Sequence, residues 1–527
     1  MRHTALLKVA VCWMFVLAPS LSGRVSGQLV DRNKSPNSAN EGIARPLNGS
    51  AYPTQIADGR TGGDPNASLN VIAYDPFRAI RRGRQLFQRK FLRTDGQGPL
   101  FGDGVGDINV ELAIGAGLAD SCAACHGRPR GAAGFGGDVV TRPDSRDAPH
   151  LFGLGLKEML ADEITADLRA IRDAATAQAA ASGAPVVAAL MSKGISFGAI
   201  TVQPNGAVDT ANVQGIDQDL RVRPFFAHGG TISMREFIVG AMKNEMGLAM
   251  ADDPDLVAAE LGRVVTPSGM VLDGRFDKIE KAPDDDGDIG PVHERTALVD
   301  FLEFYLLNYF KPAIGEQTAE VRRGRKFFET AGCASCHIPD LQIRRDRRVA
   351  DVETVFDPNR GNFNRLFATA QLLLANSSSI GRADMVKIPA QQPFLVRNIF
   401  TDFKRHDLGP NFSERDYDGT VRTHFLTTPL WGVGSTAPYG HDGRSINLTE
   451  VILRHGGEAQ AARDAFAAMD RANREAVVAF LGSLIVFPPD DTASNLDPGD
   501  RTAPGFPQFG HGSIRLTVLF NAPGIVE

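Results

Sequence analysis

Cysteine is scarce in this chain, five among 527 residues, and its placement carries more than its number. Cys12 falls in the N-terminal apolar stretch, and the other four fall in two short motifs. No cysteine is left over for a disulfide framework. Tryptophan is scarcer still, with Trp13 and Trp431 alone. No run reaches 18 apolar residues without a charge or a break, which excludes a comfortable transmembrane helix. Positive charge is the minority sign, 56 Lys and Arg against 62 Asp and Glu, for a net charge of -6. An acidic chain is a poor nucleic-acid binder. What is present in ordinary amounts, 43% hydrophobic and 22% charged residues, suits a globular protein with room for two or more domains.

The first residues read as a secretory signal: Arg2 and Lys8, an apolar run over 9–17, then small residues. Cleavage is expected after Gly27, with Ser22 as the other suitable point. It would remove Arg2, Lys8 and Arg24 and no acidic residue, taking the net charge from -6 to -9 (-6 minus 3). A periplasmic location follows from export, with no membrane span in the mature chain.

The four remaining cysteines stand in Cys122-Ala123-Ala124-Cys125-His126 and Cys333-Ala334-Ser335-Cys336-His337. C-x-x-C-H is the attachment signature of c-type haem. The two-residue gap lets both thiols reach one macrocycle from a single helical turn, and the following His falls under the iron. Two motifs predict two covalently bound haem c groups, held by Cys122, Cys125, Cys333 and Cys336, with His126 and His337 as proximal ligands. Zinc ribbons pair their knuckles about 15–20 residues apart. Here the motifs are 211 residues apart (333 minus 122), and zinc would leave both histidines unexplained. A thioredoxin-like pair needs one motif and no histidine.

The motifs sit inside a longer repeat. Arg82-Gly83-Arg84-Gln85-Leu86-Phe87 answers Arg323-Gly324-Arg325-Lys326-Phe327-Phe328. Pro149-His150-Leu151-Phe152-Gly153-Leu154-Gly155 answers Pro429-Leu430-Trp431-Gly432-Val433-Gly434. His228-Gly229-Gly230 with Met234, Glu236 and Ile238 answers His441-Asp442-Gly443 with Leu448, Glu450 and Ile452. Four landmarks in one order argue for a duplicated domain. Helix-compatible spacing covers 157–182, 232–247, 293–311, 317–330 and 458–486. The expected fold is mainly α: two cytochrome c-like haem domains from an internal duplication, with long loops and few strands. The divisions are a signal over 1–27, an arm over 28–75, haem domains over 76–290 and 291–490, and a tail over 491–527.

Over roughly 76–490 the chain resembles the bacterial di-haem oxidoreductases related to di-haem cytochrome c peroxidases. The motifs are Gly98-Pro99-Leu100, Ser121 through Gly127, Arg323-Gly324-Arg325, Cys333 through His337, Thr428-Pro429-Leu430-Trp431-Gly432, His441-Asp442-Gly443-Arg444 and His455-Gly456-Gly457-Glu458-Ala459. The resemblance implies a redox enzyme with two facing haem domains. One haem takes the oxidant, a peroxide, and the other relays electrons from a small redox protein. It places the sixth ligand of the second haem at His455, fourteen residues past His441, where relatives commonly carry Met. Bis-His ligation lowers a haem potential relative to His/Met. The other reading of His455 is a buried or C-cap histidine before Gly456. The repeat sets Ala241 opposite His455, which leaves the sixth position of the first haem open. Met242, His150 and His228 are the rival ligands there. The family's catalytic glutamate stands in a Glu-Met pair, and Glu245-Met246 lies in the matching region. The register is two residues off, and the family's nearby Gln is Phe237 here. A solvated helix glutamate is the competing reading.

Relatives also bind calcium between domains. Asp284, Asp286 and Asp288 take the 1, 3, 5 spacing of a calcium loop, but glycine falls at 4 and 7 and not at 6, so a solvated acidic linker is the better fit. Two other functions stay open on sequence. One is a non-enzymatic electron carrier. The other is a dioxygen-using di-haem oxygenase whose substrate site is shaped by the insertions at 156–227 and 340–420.

Overall fold

Eleven α-helices carry the architecture among the described residues. The computed structural model describes residues 67–74, 76–92, 97, 119–127, 138–139, 146–248, 253–279, 296–309, 313–348, 350–351, 354–357, 362–366, 371–372, 374–377, 384–387, 393–415 and 419–485. The expected signal, most of the expected arm, Gly98-Pro99-Leu100, the acidic run holding Asp284, Asp286 and Asp288, and the expected tail lie outside them. The helices are α1 Ser68–Tyr74, α2 Pro76–Gln88, α3 Cys122–His126, α4 Leu154–Ser182, α5 Met234–Met246, α6 Pro254–Leu261, α7 Thr296–Asn308, α8 Ala319–Thr330, α9 Leu448–Arg454, α10 Gln460–Ala468 and α11 Arg471–Gly482. None of the described helices is long and apolar enough to cross a membrane.

Most apolar periodicities become helices close to their expected bounds. The stretch 458–486 does not stay whole. Met469 and Asp470 take extended backbone between α10 and α11, and the Asp470 side chain accepts the Asn473 N–H as an N-cap. A short polar side chain competes with helix propagation there.

Two helix crossings repeat the same construction. Gly83 of α2 lies against the backbone of Phe301 in α7, where a Cβ would collide. Gly324 of α8 lies in the same way against Ala476 of α11. One turn on, Phe87 meets Tyr305 edge-to-face with centroids 6.0 Å apart, and Phe328 meets Phe480 at 5.4 Å. Glycine permits the close approach, and the aromatic four residues later fills the space beside it. The Arg-Gly-Arg sequence landmarks are therefore the contact points of paired helices.

Helix α7 is buried along its length from Ala297 to Asn308. Its polar members are satisfied internally. Asp300 takes Arg235 at 2.9 Å and the Ser68 hydroxyl at 2.6 Å. Glu303 takes Arg235 at 2.9 Å and the Ser268 hydroxyl at 2.5 Å. Packing thus joins residues 296–309 to the first core, although the expected division fell at 290. A second, smaller core gathers Val321, Phe328, Phe400, Phe466, Val477 and Phe480. The first core reaches across to Val396, Ile399, Phe403 and Trp431 of the second half.

Strands are short and more numerous than expected. Val186–Ser192, Ile195–Val202 and Val208–Asp209 form one three-stranded antiparallel sheet after α4. Its first turn is Lys193-Gly194, both at positive φ, which suits a two-residue hairpin. Leu190, Phe197, Ile200 and Val202 bury the face toward α4. Between 340 and 427 small two-stranded sheets join Leu341–Ile343 to Phe394–Val396 and Arg405–Asp407 to His424–Leu426. Each is too short to leave a strong period-two signal.

Candidate haem-binding sites

Helix α3 is a single turn holding the first motif. Ser121 caps it, its hydroxyl accepting the Ala124 N–H at 3.1 Å. The cap fixes Cys122, Cys125 and His126 on one short helical turn. His126 donates from Nδ1 to the Pro149 carbonyl at 2.8 Å. That bond sets the tautomer and leaves Nε2 with its lone pair, as a metal-binding imidazole requires. Both thiols are free of disulfide bonds. Burial pushes Cys122 up to about 12. Burial also raises Cys125, and the charges of Glu245 and Asp120 raise it further. The Glu245 charge is thus felt at Cys125. The Glu245 carbonyl also accepts the Ala119 N–H at 3.0 Å, tying α5 to the motif.

The rival ligands of this half occupy distinct surroundings. His150 is pushed down to about 3, first by burial and then by the Lys157 charge. A bond to the Trp431 backbone works against that shift, and His126 adds to it. His150 thus stands among Lys157, His126 and Trp431. Burial brings Lys157 down to about 8, and its ammonium lies 5.7 Å from the centre of the Phe225 ring. Met242 is packed into the first core at 2% exposure. His228 stacks on Phe226 at 5.9 Å.

The second motif forms a 3-10 turn over Cys333–Ser335, and the His337 N–H donates to the Cys333 carbonyl at 3.1 Å. His337 donates from Nδ1 to the Phe400 carbonyl at 3.0 Å. Phe400, and not the Pro429 suggested by the repeat, takes the part played by Pro149. Leu430 stays adjacent, its N–H bonded to the Ile399 carbonyl at 2.9 Å. Burial brings His337 down to about 4, and the charges of His455 and His406 add to the shift while Asp402 opposes it. His455 is therefore a neighbour of His337. It leaves α9 as the C-cap residue and donates from Nδ1 to the Val451 carbonyl at 2.8 Å, so its Nε2 is also available. Phe412 meets its ring edge-on at 5.1 Å. The preceding Arg454 pairs with Asp442 at 2.7 Å.

Beside Cys336 lies a polar chain. His406 Nε2 meets Asp402 at 2.9 Å and Nδ1 meets Glu458 at 2.8 Å. Burial lowers the affinity of His406 for its proton, but the bonds to Asp402, Cys336 and Glu458 outweigh it and hold the pKa up at about 11. Nearby, His441 Nε2 meets Glu414 at 2.8 Å, and Phe425 stacks on the His441 ring at 4.2 Å.

The two halves keep one register at their capping boxes. Ser233 accepts the Glu236 N–H, and Glu236 accepts the Ile232 N–H. Asn447 accepts the Glu450 N–H, and Glu450 accepts the Ile446 N–H. These reciprocal caps start α5 and α9 at matching residues. Counting on from them brings Ala241 and His455 to the same place. Helix α5 continues through Ala241 to Met246, whereas α9 stops at Arg454.

Residues 366–484 match the family described as "Di-haem oxidoreductase, putative peroxidase". Over this stretch the chain is similar to that family. No curated protein matches the chain. Among solved structures it is similar to the hydrazine synthase of Kuenenia stuttgartiensis, at 15% identity and a TM-score of 0.22, over 36% of this chain and 56% of that one. This chain therefore spans little more than half of the hydrazine synthase chain. It is also similar to a MauG-like protein associated with microbial copper homeostasis, at 15% identity and a TM-score of 0.24, over 63% of this chain and 88% of that one. At these scores neither likeness bears on function.

The matched segment contains Asp402, His406, Trp431, His441, His455 and Glu458, and it begins after Cys333–His337. The second motif and this segment together offer groups that fit a haem: the imidazoles of His337 and His455, each with Nδ1 engaged and Nε2 available, and the free thiols of Cys333 and Cys336. Asp402, His406, Glu414 and Lys157 escaped the sequence reading, and Glu458 entered it only as part of the motif that begins at His455. The i, i+4 spacing of Asp402 and His406 was the available signal, and it falls in a stretch without helical periodicity.

Proposed function

We propose that the chain is an exported, periplasmic di-haem peroxidase-like oxidoreductase that reduces a peroxide with electrons from a small redox protein. Haem c, when bound, supplies one-electron chemistry at iron and an acceptor for the oxidant. Cys122 and Cys125 would hold one group, with His126 as a ligand; Cys333 and Cys336 would hold the other, with His337 and His455 as ligands. Two cytochrome c-like units from a duplication carry them, and the paired crossings at Gly83 and Gly324 support that division.

The observation that carries the reading is the asymmetry at one register position. His455 has an available Nε2 beside His337, while its counterpart Ala241 has no ligating atom. That asymmetry would suit the second unit to electron relay and leave the first open to a small oxidant. The end of α5 is tied to the first motif through the Ala119–Glu245 backbone bond, and the Glu245 charge is felt at Cys125; a carboxyl group there would carry a proton from one peroxide oxygen to the other as the O–O bond breaks.

Intact mass together with EPR and resonance Raman spectra of the purified holoprotein tests this. The expected result is two haem additions, one six-coordinate low-spin iron and one iron with high-spin character. Two low-spin irons without peroxide turnover would make the protein an electron carrier, with Met242 the first candidate for the extra ligand. A stable ferrous–dioxygen complex would favour an oxygenase.

A further inference from the structure

We propose that Asp402, His406 and Glu458 form a positioning unit that fastens the sixth-ligand side of the second haem pocket to its attachment side and sets the reduction potential there. This rests on the reading in which Cys333, Cys336, His337 and His455 hold a haem.

His406 is buried at 7% exposure with a carboxylate against each ring nitrogen, 2.9 Å to Asp402 and 2.8 Å to Glu458. An imidazole facing an acceptor on both sides donates from both nitrogens and is a cation. The three side chains together carry one net negative charge. Ligating atoms of Cys336, Asp402 and His406 all lie within 4.8 Å of one another, so that charge borders the attachment sulfur.

The two carboxylates belong to opposite sides of the pocket. Asp402 follows Phe400, whose carbonyl accepts from His337. Glu458 follows His455 by three residues and also accepts the Asp407 N–H at 3.0 Å. The Gly456 N–H donates to the Leu408 carbonyl at 2.9 Å in the same seam. His406 is therefore the side-chain bridge between the segment that orients His337 and the segment that leaves His455. Net negative charge at a haem edge stabilises the ferric over the ferrous state by Coulomb attraction. It acts in the same direction as bis-imidazole ligation.

The test is spectroelectrochemical titration and carbon monoxide binding on the purified holoprotein. Asp402→Asn removes one negative charge at nearly constant shape. Poised at the wild-type midpoint of the low-potential haem, Asp402→Asn should be about tenfold richer in ferrous than ferric iron, the change that about 59 mV makes in a one-electron couple. Glu458→Gln should shift the ratio the same way and less, because Glu458 is 53% exposed. Its exposure also keeps this variant free of a folding defect. Ferrous His406→Ala should bind carbon monoxide at the second haem, where wild type does not. His406→Arg, with donors for both carboxylates, should restore the exclusion. Unchanged poise in both carboxylate variants, with carbon monoxide still excluded from His406→Ala, would overturn the positioning unit alone. A wild-type protein without a bis-imidazole low-spin signal would overturn the haem reading beneath it.

Discussion

His337 and His455 have the same ring nitrogen spent. Each donates from Nδ1 to a backbone carbonyl, Phe400 at 3.0 Å and Val451 at 2.8 Å, and the charge of His455 is among those that hold His337 neutral. Two imidazoles locked in one tautomer by main-chain acceptors are prepared to bind through Nε2.

His455→Ala should therefore convert one of the two irons from low-spin to high-spin and leave the other unchanged. His455→Met should keep six coordination and raise the midpoint of that haem, since thioether favours ferrous iron more than imidazole does. EPR and potentiometry read both outcomes. An unchanged low-spin signal in His455→Ala would mean that His455 is only the C-cap of α9.

Glu245→Gln tests the proton-transfer assignment. Peroxide turnover should fall by roughly 10²–10⁴-fold, the usual contribution of a positioned general acid or base. Haem content and the optical spectrum should stay as in wild type, because the amide keeps the shape of the side chain. A loss of less than about threefold would return Glu245 to an ordinary helix residue at the end of α5, outside the range expected for such a group.

Arg235 predicts a stability effect independent of haem. It is fully buried and pairs with Asp253 at 2.7 Å, Asp300 at 2.9 Å and Glu303 at 2.9 Å. Arg235→Met should cost about 3–5 kcal/mol, because it strands buried carboxylates without their cation. Urea unfolding of the first unit measures it, and a loss under about 1 kcal/mol would show the cluster relaxing onto other donors.

The residues proposed to bind haem were more legible than the residues around them. C-x-x-C-H is a short motif whose chemistry demands its spacing, and the Arg-Gly-Arg and capping-box landmarks lie where helices must cross or begin. The strands between 186 and 209 and between 341 and 426 were missed because each is short and joined by tertiary pairing. Glu458 lies 52 residues from His406, so only the fold unites it with the Asp402–His406 pair. The break between α10 and α11 was hidden in continuous helical spacing, where one N-cap aspartate overrode the period.

His150 gives a pH dependence of definite sign. Burial, then the Lys157 charge, brings its folded pKa down to about 3, against about 6.5 for an unperturbed histidine. Between those values the unfolded chain binds a proton that the folded chain refuses. Stability should therefore be full above pH about 6.5 and fall as the pH drops toward about 3, by up to roughly 1.4 kcal/mol per pH unit from this group. His150→Asn keeps a polar ring-sized side chain but cannot titrate. Urea midpoints measured from pH 7 to pH 4 should fall less steeply in His150→Asn than in wild type, with the two lines diverging toward acid. Parallel lines would show that His150 is protonated as readily in the folded protein as in the unfolded one, and that its place between His126 and Trp431 is open to water.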